Sequence, residues 1–255
     1  MIYFSNIFFN KFNIFFFLLV FLYLSCEDKS TDSQNQNPPV TSADTLKDID
    51  GNIYETVKIG NQVWMAENLK VTRFRNGDTI PYIAADTAWS KLTDAACCGY
   101  NNSVDTIEIF GLLYNWYAVA DSRHVAPEGW HIPTDEDWKA REIFLGMSAE
   151  AADEMGNRGT NEGGKLKDTG TIYWESPNLG ATDETGFSAL PGGYRFGYGI
   201  FNNIGYLCGF WVASDYNVSN AWSRFLGYNY AYVFRHYYDK KHGYSIRCVK
   251  DAPAE

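Results

Sequence analysis

Hydrophobic and polar residues alternate along the segment between two turn dipeptides, Asp50-Gly51 and Gly60-Asn61. Ile53, Val57 and Ile59 stand on one side of this alternation, and the tyrosine and threonine between them also favour a strand. A period of two is typical of a β-strand, and dipeptides of glycine with asparagine or aspartate are typical of tight turns. The pattern predicts a β-hairpin at the start of the folded region.

A helical periodicity follows at residues 110–121, FGLLYNWYAVAD. The large apolar residues of this segment recur three or four positions apart, which would place them on one face of a helix. These residues are Phe110, Leu113, Trp116, Tyr117 and Ala120. We predict a first helix here.

Thr134 is predicted to begin a second helix. Asp137 follows three residues later, as in a carboxylate version of the capping box, and the first turn is acidic, which suits the positive end of a helix dipole. Apolar spacing continues to Leu145, and Gly146 ends it. His131 has no partner at a metal-ligand spacing and is interpreted as a packed core or loop residue. The segment PEGWHIPTDEDW is therefore predicted to be a helix N-terminus, not an active site.

Beyond Gly156, short aromatic segments are divided by glycine and asparagine, which predicts antiparallel strands joined by loops. The resulting fold class is α+β: an N-terminal β-hairpin, two helices, and a loop-rich antiparallel strand half. All eight tryptophans lie beyond residue 45. We therefore expect a core filled largely by aromatic rings.

The first 25 residues contain one charge, Lys11, and an apolar run at 14–24 that is short for a membrane-spanning helix. Cys26 follows Leu24-Ser25, and this arrangement resembles a bacterial lipobox. The resemblance implies a lipoprotein signal peptide at 1–25 and lipidation of Cys26. An uncleaved anchor or a secretory signal cut nearby remain alternatives. Residues 26–44 are polar, with Pro38-Pro39, and are predicted to form a flexible tether. Residues 45–255 are long enough for a single domain.

The acidic pair Glu27-Asp28 resembles the export signals of Bacteroidota surface lipoproteins. It implies an outer-membrane lipoprotein that faces outward, with an acidic linker of no such role as the alternative. The chain carries a net charge of -10. Such an acidic molecule is not expected to bind nucleic acid or anionic lipid through bulk electrostatics.

The cysteines other than Cys26 are Cys97, Cys98, Cys208 and Cys248. They form no CxxC pair and have no zinc-ligand spacing with the histidines, so no metal site is expected. An exported protein can oxidise its thiols. The disulfide we consider is Cys208–Cys248, since both lie in predicted strands; free buried thiols are the alternative.

A set of motifs occurs in a fixed order between Asp48 and Asp251: DIDGNIYETVKIGNQVWMAENLKV, CCGYNN, FGLLYNWYAVAD, APEGWHIPTDEDW, GGKLKDTG, SPNLGATDETGFSALPGGYR and GYSIRCVKD. Together they resemble the Fibrobacter succinogenes major paralogous domain family. The resemblance implies a C-type-lectin-like fold related to the formylglycine-generating enzymes, but no common activity. Asp183 stands, beside Glu184, where the family often has asparagine; the added negative charge makes a structural cation near Asp183 slightly more plausible.

No enzymatic activity, catalytic residue or cofactor is expected. The related oxidation chemistry needs two thiols that hold copper, and the corresponding region, 224–238, contains no cysteine. An uncharacterised enzyme related to that family remains an alternative, and a carboxylate pair for glycoside hydrolysis stays open.

The favoured interpretation is a non-catalytic, lectin-like binding domain whose loops contact a glycan. The alternative is a structural or adhesin component that binds another surface protein. Each candidate residue below also has a structural alternative. The tryptophans would be buried in the core, the arginine would bridge strands, and the acidic residues would form a solvated turn. The candidate binding residues are Trp174, Asn178, Asp183, Glu184, Arg195 and Trp211.

Overall fold

The computed structural model describes residues 42–252, with side chains from residue 45 onward. Short strands alternate with short helices along this part of the chain. The strands are β1 (Ser42–Lys47), β2 (Ile53–Ile59), β3 (Gln62–Met65), β4 (Cys97–Cys98), β5 (Leu113–Tyr114), β6 (Trp130–His131), β7 (Gly156–Arg158), β8 (Gly192–Arg195), β9 (Phe201–Ile204), β10 (Leu207–Asp215), β11 (Asn220–Gly227), β12 (Val233–Asp239) and β13 (Val249–Lys250). The α-helices are α1 (Asp86–Trp89), α2 (Val104–Phe110), α3 (Trp116–Val119), α4 (Asp135–Phe144) and α5 (Ala149–Asp153). Short 3-10 helices occupy Tyr100–Asn102 and Gly164–Leu166.

The predicted hairpin is confirmed as strands β2 and β3. They pair antiparallel, with Val57 opposite Trp64 and Ile59 opposite Gln62. Gly60 in the turn has φ +61°, a left-handed conformation that glycine adopts without strain. Strand β1 pairs with β2 and begins at Ser42, so the last residues assigned to the tether already belong to the folded region. The signal peptide and Cys26 lie outside the described residues.

Two larger sheets organise the molecule. One has the strand order β1-β2-β3-β13-β6, and the other has the order β7-β12-β11-β10-β8-β9. Strand β13, from the C-terminal end, pairs with both β3 and β6 and so completes the N-terminal sheet. The second sheet is antiparallel except where β10 pairs parallel with β8. The predicted α+β class and the strand-rich second half are confirmed.

The helix predicted over residues 110–121 is wrong. Helix α2 ends at Phe110, strand β5 follows, and the short helix α3 begins after Asn115. Gly111 interrupts the helix: its φ is +74°, and a Cβ atom there would lie 2.9 Å from the carbonyl oxygen of Leu69. Asn115 starts the new helix, because its side chain accepts a hydrogen bond from the amide of Ala118 at 3.1 Å.

Helix α4 begins as predicted. The Thr134 hydroxyl accepts a hydrogen bond from the Asp137 amide at 3.2 Å, and the Thr134 amide donates to the Asp137 carboxylate at 2.8 Å. This reciprocal pair is the capping box. The helix ends at Phe144, with Gly146 at φ +117° beyond it.

The acidic side chains of α4 also fasten the helix to the second sheet, which the capping interpretation did not include. Asp135 is buried and accepts hydrogen bonds from Arg224 of β11 and Arg235 of β12, at 2.8 and 2.6 Å. Burial alone would raise the pKa of the Asp135 carboxyl, but the hydrogen bonds and charges of Arg235 and Arg224 outweigh it. They hold that pKa well below its ordinary value.

Aromatic rings fill the core, as expected. Trp64 and Trp138 meet edge to face with ring centroids 5.5 Å apart, and Phe187 and Phe210 meet similarly at 5.8 Å. Such edge-to-face contacts add to the stability gained from burial itself. Within the described part of the chain, helices are too short or too polar to cross a membrane.

The proposed Cys208–Cys248 disulfide is absent. All four cysteines of the described region are free and buried. Cys208 packs in the cluster that contains Trp138, whereas Cys248 packs in the separate cluster that contains Trp211. The two thiols therefore fill different parts of the core.

Candidate functional site

Trp174 and Trp211 are core residues, and their rings are not available to a ligand. The Trp174 indole donates to the carbonyl of Ala189 at 3.0 Å. The Trp211 indole donates to the carbonyl of Tyr114 at 2.8 Å, and its ring meets Tyr244 at 4.6 Å. The two tryptophans belong to different core clusters, so the structure does not bring them together.

Arg195 is also fully buried and holds a loop. Its guanidinium donates to the carbonyls of Gly199, Ile83 and Ala84 and to the Asp86 carboxylate, at 2.6 to 2.8 Å. With its hydrogen-bonding capacity used internally, Arg195 positions the backbone before helix α1. It is not placed to contact a ligand.

Asn178 and Asp183 stabilise neighbouring loops. The Asn178 amide donates to the carbonyls of Asp168 and Gly170, at 2.9 and 2.8 Å. The Asp183 carboxylate accepts from the Ser188 amide and hydroxyl, at 2.8 and 2.6 Å. Burial, the largest influence, raises the pKa of Asp183 above its ordinary value despite these hydrogen bonds.

Glu184 forms an ion pair with Lys165 at 3.3 Å. Among the residues that the structure describes, no group of three or more histidine, cysteine, aspartate or glutamate side chains is arranged to hold a metal ion. The structural cation considered near Asp183 therefore has no such ligand set among the described residues.

Three of the candidate residues nevertheless support one surface cleft, which we call the polar cleft. Trp174 donates a hydrogen bond to the carbonyl of Ala189, between Ser188 and Leu190, and Asn178 donates one to the carbonyl of Asp168. Asp183 accepts a hydrogen bond from the amide of Ser188. The cleft has a volume of about 250 Å³. Its lining residues are Tyr54, Ala66, Glu67, Asn68, Lys70, Glu108, Ile109, Gly111, Asp168, Tyr173, Ser188, Leu190 and Arg247.

Arg247 is buried and forms the floor of the polar cleft. It donates to the Asn68 side chain at 2.8 Å and to the carbonyl of Ser188 at 3.1 Å, and it also bonds the carbonyl of Phe187. Burial lowers the pKa of Arg247 to about 10, still well above neutral pH, so the guanidinium stays charged. The floor of the cleft is thus held in place by hydrogen bonds and is positively charged.

The walls of the polar cleft supply acceptors and one exposed ring. The half-buried Asp168 carboxylate forms no hydrogen bond or ion pair with the other described residues. Tyr173 is 40% exposed, and its ring is held edge to face against Phe110 at 5.8 Å. Lys70 forms a long ion pair of 3.5 Å with the exposed Glu108 of α2. A ligand rich in hydroxyl groups would find acceptors, donors and an apolar surface here.

A second depression near strand β1, with a volume of about 310 Å³, is less suited to binding. Its Asp48 carboxylate is already occupied by the Tyr54 hydroxyl and the Asn52 side chain, at 2.6 and 2.8 Å. Its Arg75 guanidinium donates to the carbonyls of Ala126 and other residues of the same loop. These polar groups are used internally.

The residues that line the polar cleft were not predicted from the sequence. Tyr173 precedes Trp174 in an irregular segment, and the two side chains differ in exposure, 40% against 1%. Asp168 lies in the GGKLKDTG motif, which carried the family resemblance but offered no chemical signature. Their proximity depends on pairing between distant segments, which spacing along the chain does not reveal.

A family model, described as the Fibrobacter succinogenes major domain, matches residues 57–250. This match covers the second sheet, the end of β2 with strands β3, β6 and β13 of the first sheet, and every lining residue of the polar cleft except Tyr54. No curated protein and no solved structure matches the chain.

Proposed function

Since this chain belongs to the Fibrobacter succinogenes major domain family, we propose that it is an exported, surface-displayed lipoprotein whose lectin-like domain binds a glycan without catalysing a reaction. The polar cleft is the proposed binding site. The observation that carries the proposal is the combination of an unpaired Asp168 carboxylate with the exposed ring of Tyr173 in one cleft.

The chemistry of a sugar suits this combination. Each sugar hydroxyl can donate to a carboxylate such as Asp168 and accept from an amide or a cation. The apolar face of a pyranose ring, formed by its C–H groups, can pack against an aromatic ring, as Tyr173 offers. Recognition sites of this kind need a few well-placed polar groups on fixed supports. Trp174, Asn178 and Asp183 supply such supports through their hydrogen bonds.

The raised pKa values of the buried cysteine thiols support the proposal that the domain binds without catalysing a reaction. Burial raises the pKa of Cys97, Cys98 and Cys208 to about 12, and it raises the pKa of Cys248 further. Metal binding and nucleophilic attack both require a thiolate, which these environments disfavour at neutral pH.

Glycan binding can be tested with purified protein on a glycan array and on insoluble polysaccharides. We expect Tyr173→Ala and Asp168→Asn each to weaken binding about tenfold, equivalent to about 1.4 kcal/mol. Tyr216→Ala is the matched control: Tyr216 is similarly exposed, at 45%, but lies between β10 and β11 and does not line the cleft. Equal losses in all three variants would contradict the assignment of the site.

A protein partner is the second candidate, and one observation favours it. Ile172 is 88% exposed and stands beside Tyr173 in the sequence, and Ile109, which also lines the polar cleft, is 42% exposed. Apolar side chains around a polar site are common at protein interfaces. Absence of any glycan binding, together with capture of an outer-membrane protein that Ile172→Ser abolishes, would favour this function.

The proposed location can be tested separately. We propose that Cys26 carries the lipid and that the acidic tether displays the domain outward. Mass spectrometry should find the lipidated Cys26 at the N-terminus of the mature protein. Protease treatment of intact cells should remove the domain; protection of the domain would contradict outward display.

A further inference from the structure

The second sheet carries a small opening that the proposed glycan site does not use. Six aromatic rings surround it: Tyr194, Phe196, Phe225, Phe234, Tyr238 and Tyr244. Leu207 and His242 complete the lining, and we call this opening the aromatic box. It shares no lining residue with the polar cleft.

Strand pairing places the rings on one face of the sheet. Phe225 of β11 is opposite Phe234 of β12, and Tyr238 lies four residues further along β12, so all three side chains point to the same side. Tyr194 arrives from β8 and Tyr244 from the segment before β13. The box is therefore assembled from chain segments that are distant in sequence.

The rings that line the opening meet one another at steep angles. Phe225 and Tyr244 are 5.1 Å apart at 89°, Tyr194 and Phe196 are 4.9 Å apart at 86°, and Phe225 and Tyr238 are 5.2 Å apart at 70°. In a fully closed core such rings would bury one another. Here Tyr194, Phe196 and Tyr238 remain partly exposed.

The opening is small and uncharged. Its volume is about 90 Å³, roughly that of three water molecules in the liquid, so it accepts a group of a few heavy atoms, not a sugar ring. No aspartate, glutamate, lysine or arginine lines it. Burial lowers the pKa of His242, whose Nδ1 lies 3.1 Å from the carbonyl of Asp239, so the imidazole is neutral at pH 7.

We infer that the aromatic box binds a quaternary ammonium group, such as the trimethylammonium head of choline. The faces of aromatic rings carry negative electrostatic potential, and cages of such rings recognise cations that are too weakly hydrated to require hydrogen bonds. The net charge of -10 adds a general attraction for cations. A neutral apolar group would gain from burial in the box but not from these two effects.

The comparison of choline with its carbon isostere, in which a tert-butyl group replaces trimethylammonium, tests this inference. We expect titration calorimetry on the full mature protein to give a dissociation constant about tenfold lower for choline than for the isostere. Equal affinities would overturn the inference and leave an unselective apolar pocket. Failure of both compounds to bind at high millimolar concentration would also overturn it.

Substitutions in and beside the aromatic box test whether choline binds there. Tyr238→Leu removes one ring and should weaken choline binding several-fold, while Tyr238→Phe keeps the ring and should retain it. Tyr198→Ala is the control, because Tyr198 stacks on Phe196 at 4.7 Å but does not line the box. If Tyr238→Leu fails to fold, Phe196→Leu replaces it. Loss of affinity in Tyr198→Ala as large as in the ring-removing variant would place the site elsewhere.

Discussion

The guanidinium of Arg158 donates two hydrogen bonds to the carboxylate of Glu142, at 2.9 and 3.0 Å, and both side chains are fully buried. Arg224 donates a third, through Nε, at 2.9 Å. Burial by itself would raise the pKa of Glu142, but the charges of Arg224 and Arg158 reverse the effect and lower it. Glu142 on helix α4 thus joins strands β7 and β11, and the interface between helix and sheet depends on a carboxylate.

Glu142→Gln should destabilise the protein by about 3–5 kcal/mol, because the change leaves the buried guanidinium of Arg158 without its counter-charge and Arg224 paired with Asp135 alone. Chemical denaturation monitored by tryptophan fluorescence measures this loss. Glu136→Gln on the same helix is the control: the Glu136 side chain is 82% exposed and pairs, among the described residues, with Lys139, so the loss of stability should be below about 0.5 kcal/mol. Similar losses in the two variants would contradict a special role for the buried carboxylate.

Arg141 presents the opposite arrangement, a buried cation held by rings. Its guanidinium carbon lies 3.8 Å from the Trp138 ring centroid, 4.1 Å from that of Trp64 and 4.2 Å from that of Phe187. Its three nitrogens have no hydrogen-bond partner in the described region. Burial, above all, lowers the pKa of Arg141 far below its ordinary value.

Arg141→Lys should therefore be less stable than Arg141→Met, by about 2 kcal/mol. The lysine ammonium is compact and strongly hydrated, so its burial without acceptors is more costly than that of a delocalised guanidinium. Methionine keeps the apolar stem and removes the charge. Denaturation midpoints of the two variants give the comparison, and a lysine variant as stable as the methionine variant would argue against an apolar surrounding.

His131 gives the stability a pH dependence near neutrality. Its ring lies 3.2 Å from Asp137 and 2.6 Å from Asp251. The hydrogen bond to Asp137 is the largest influence and raises the pKa of His131 above its ordinary value of about 6.5. The interpretation of His131 as a packed core or loop residue is thus incomplete, because the ring links Asp137 of α4 to Asp251 near the end of the described chain.

A histidine whose folded pKa is raised contributes stability that is fully present below about pH 6.5 and is lost as pH rises through the folded value. The pKa of Asp137 is lowered to about 2, since hydrogen bonds from His131 and Thr134 outweigh its burial, so its carboxylate stays charged throughout this window. His131→Gln should cost about 0.5–1 kcal/mol at about pH 5.5, and less at about pH 9. Unfolding free energies at both pH values measure this; a pH-independent difference would disprove the ionic contribution.

Local signals were sufficient to predict the hairpin and helix α4. The Gly60-Asn61 turn, the alternation around Val57 and the reciprocal pair Thr134–Asp137 involve residues within a few positions of one another. The helix expected at 110–121 was wrong because tertiary contacts of Gly111 with the Leu69 backbone overrode the apolar spacing.

At the candidate site, too, the contacts between residues distant in sequence could not be predicted. The side chains of Asn178 and Asp183, which were predicted to contact a ligand, instead form hydrogen bonds that support the cleft wall. The lining groups Glu67, Asp168 and Arg247 come from three distant segments, and only the folded chain brings them together. Exposure of Tyr173 and burial of Trp174 likewise follow from the packing of a segment without regular periodicity.

The adjacent residues Tyr173 and Trp174 should therefore give opposite results when replaced. Trp174→Ala removes a ring that is 1% exposed together with its hydrogen bond to Ala189, and should cost about 3–5 kcal/mol of stability. Tyr173→Ala should cost about 1 kcal/mol or less, yet weaken glycan binding, because its ring lies at the surface of the polar cleft. Denaturation and binding measured on both variants separate the two roles. A stable Trp174→Ala variant with abolished binding would instead make Trp174 the direct contact, which its buried position opposes.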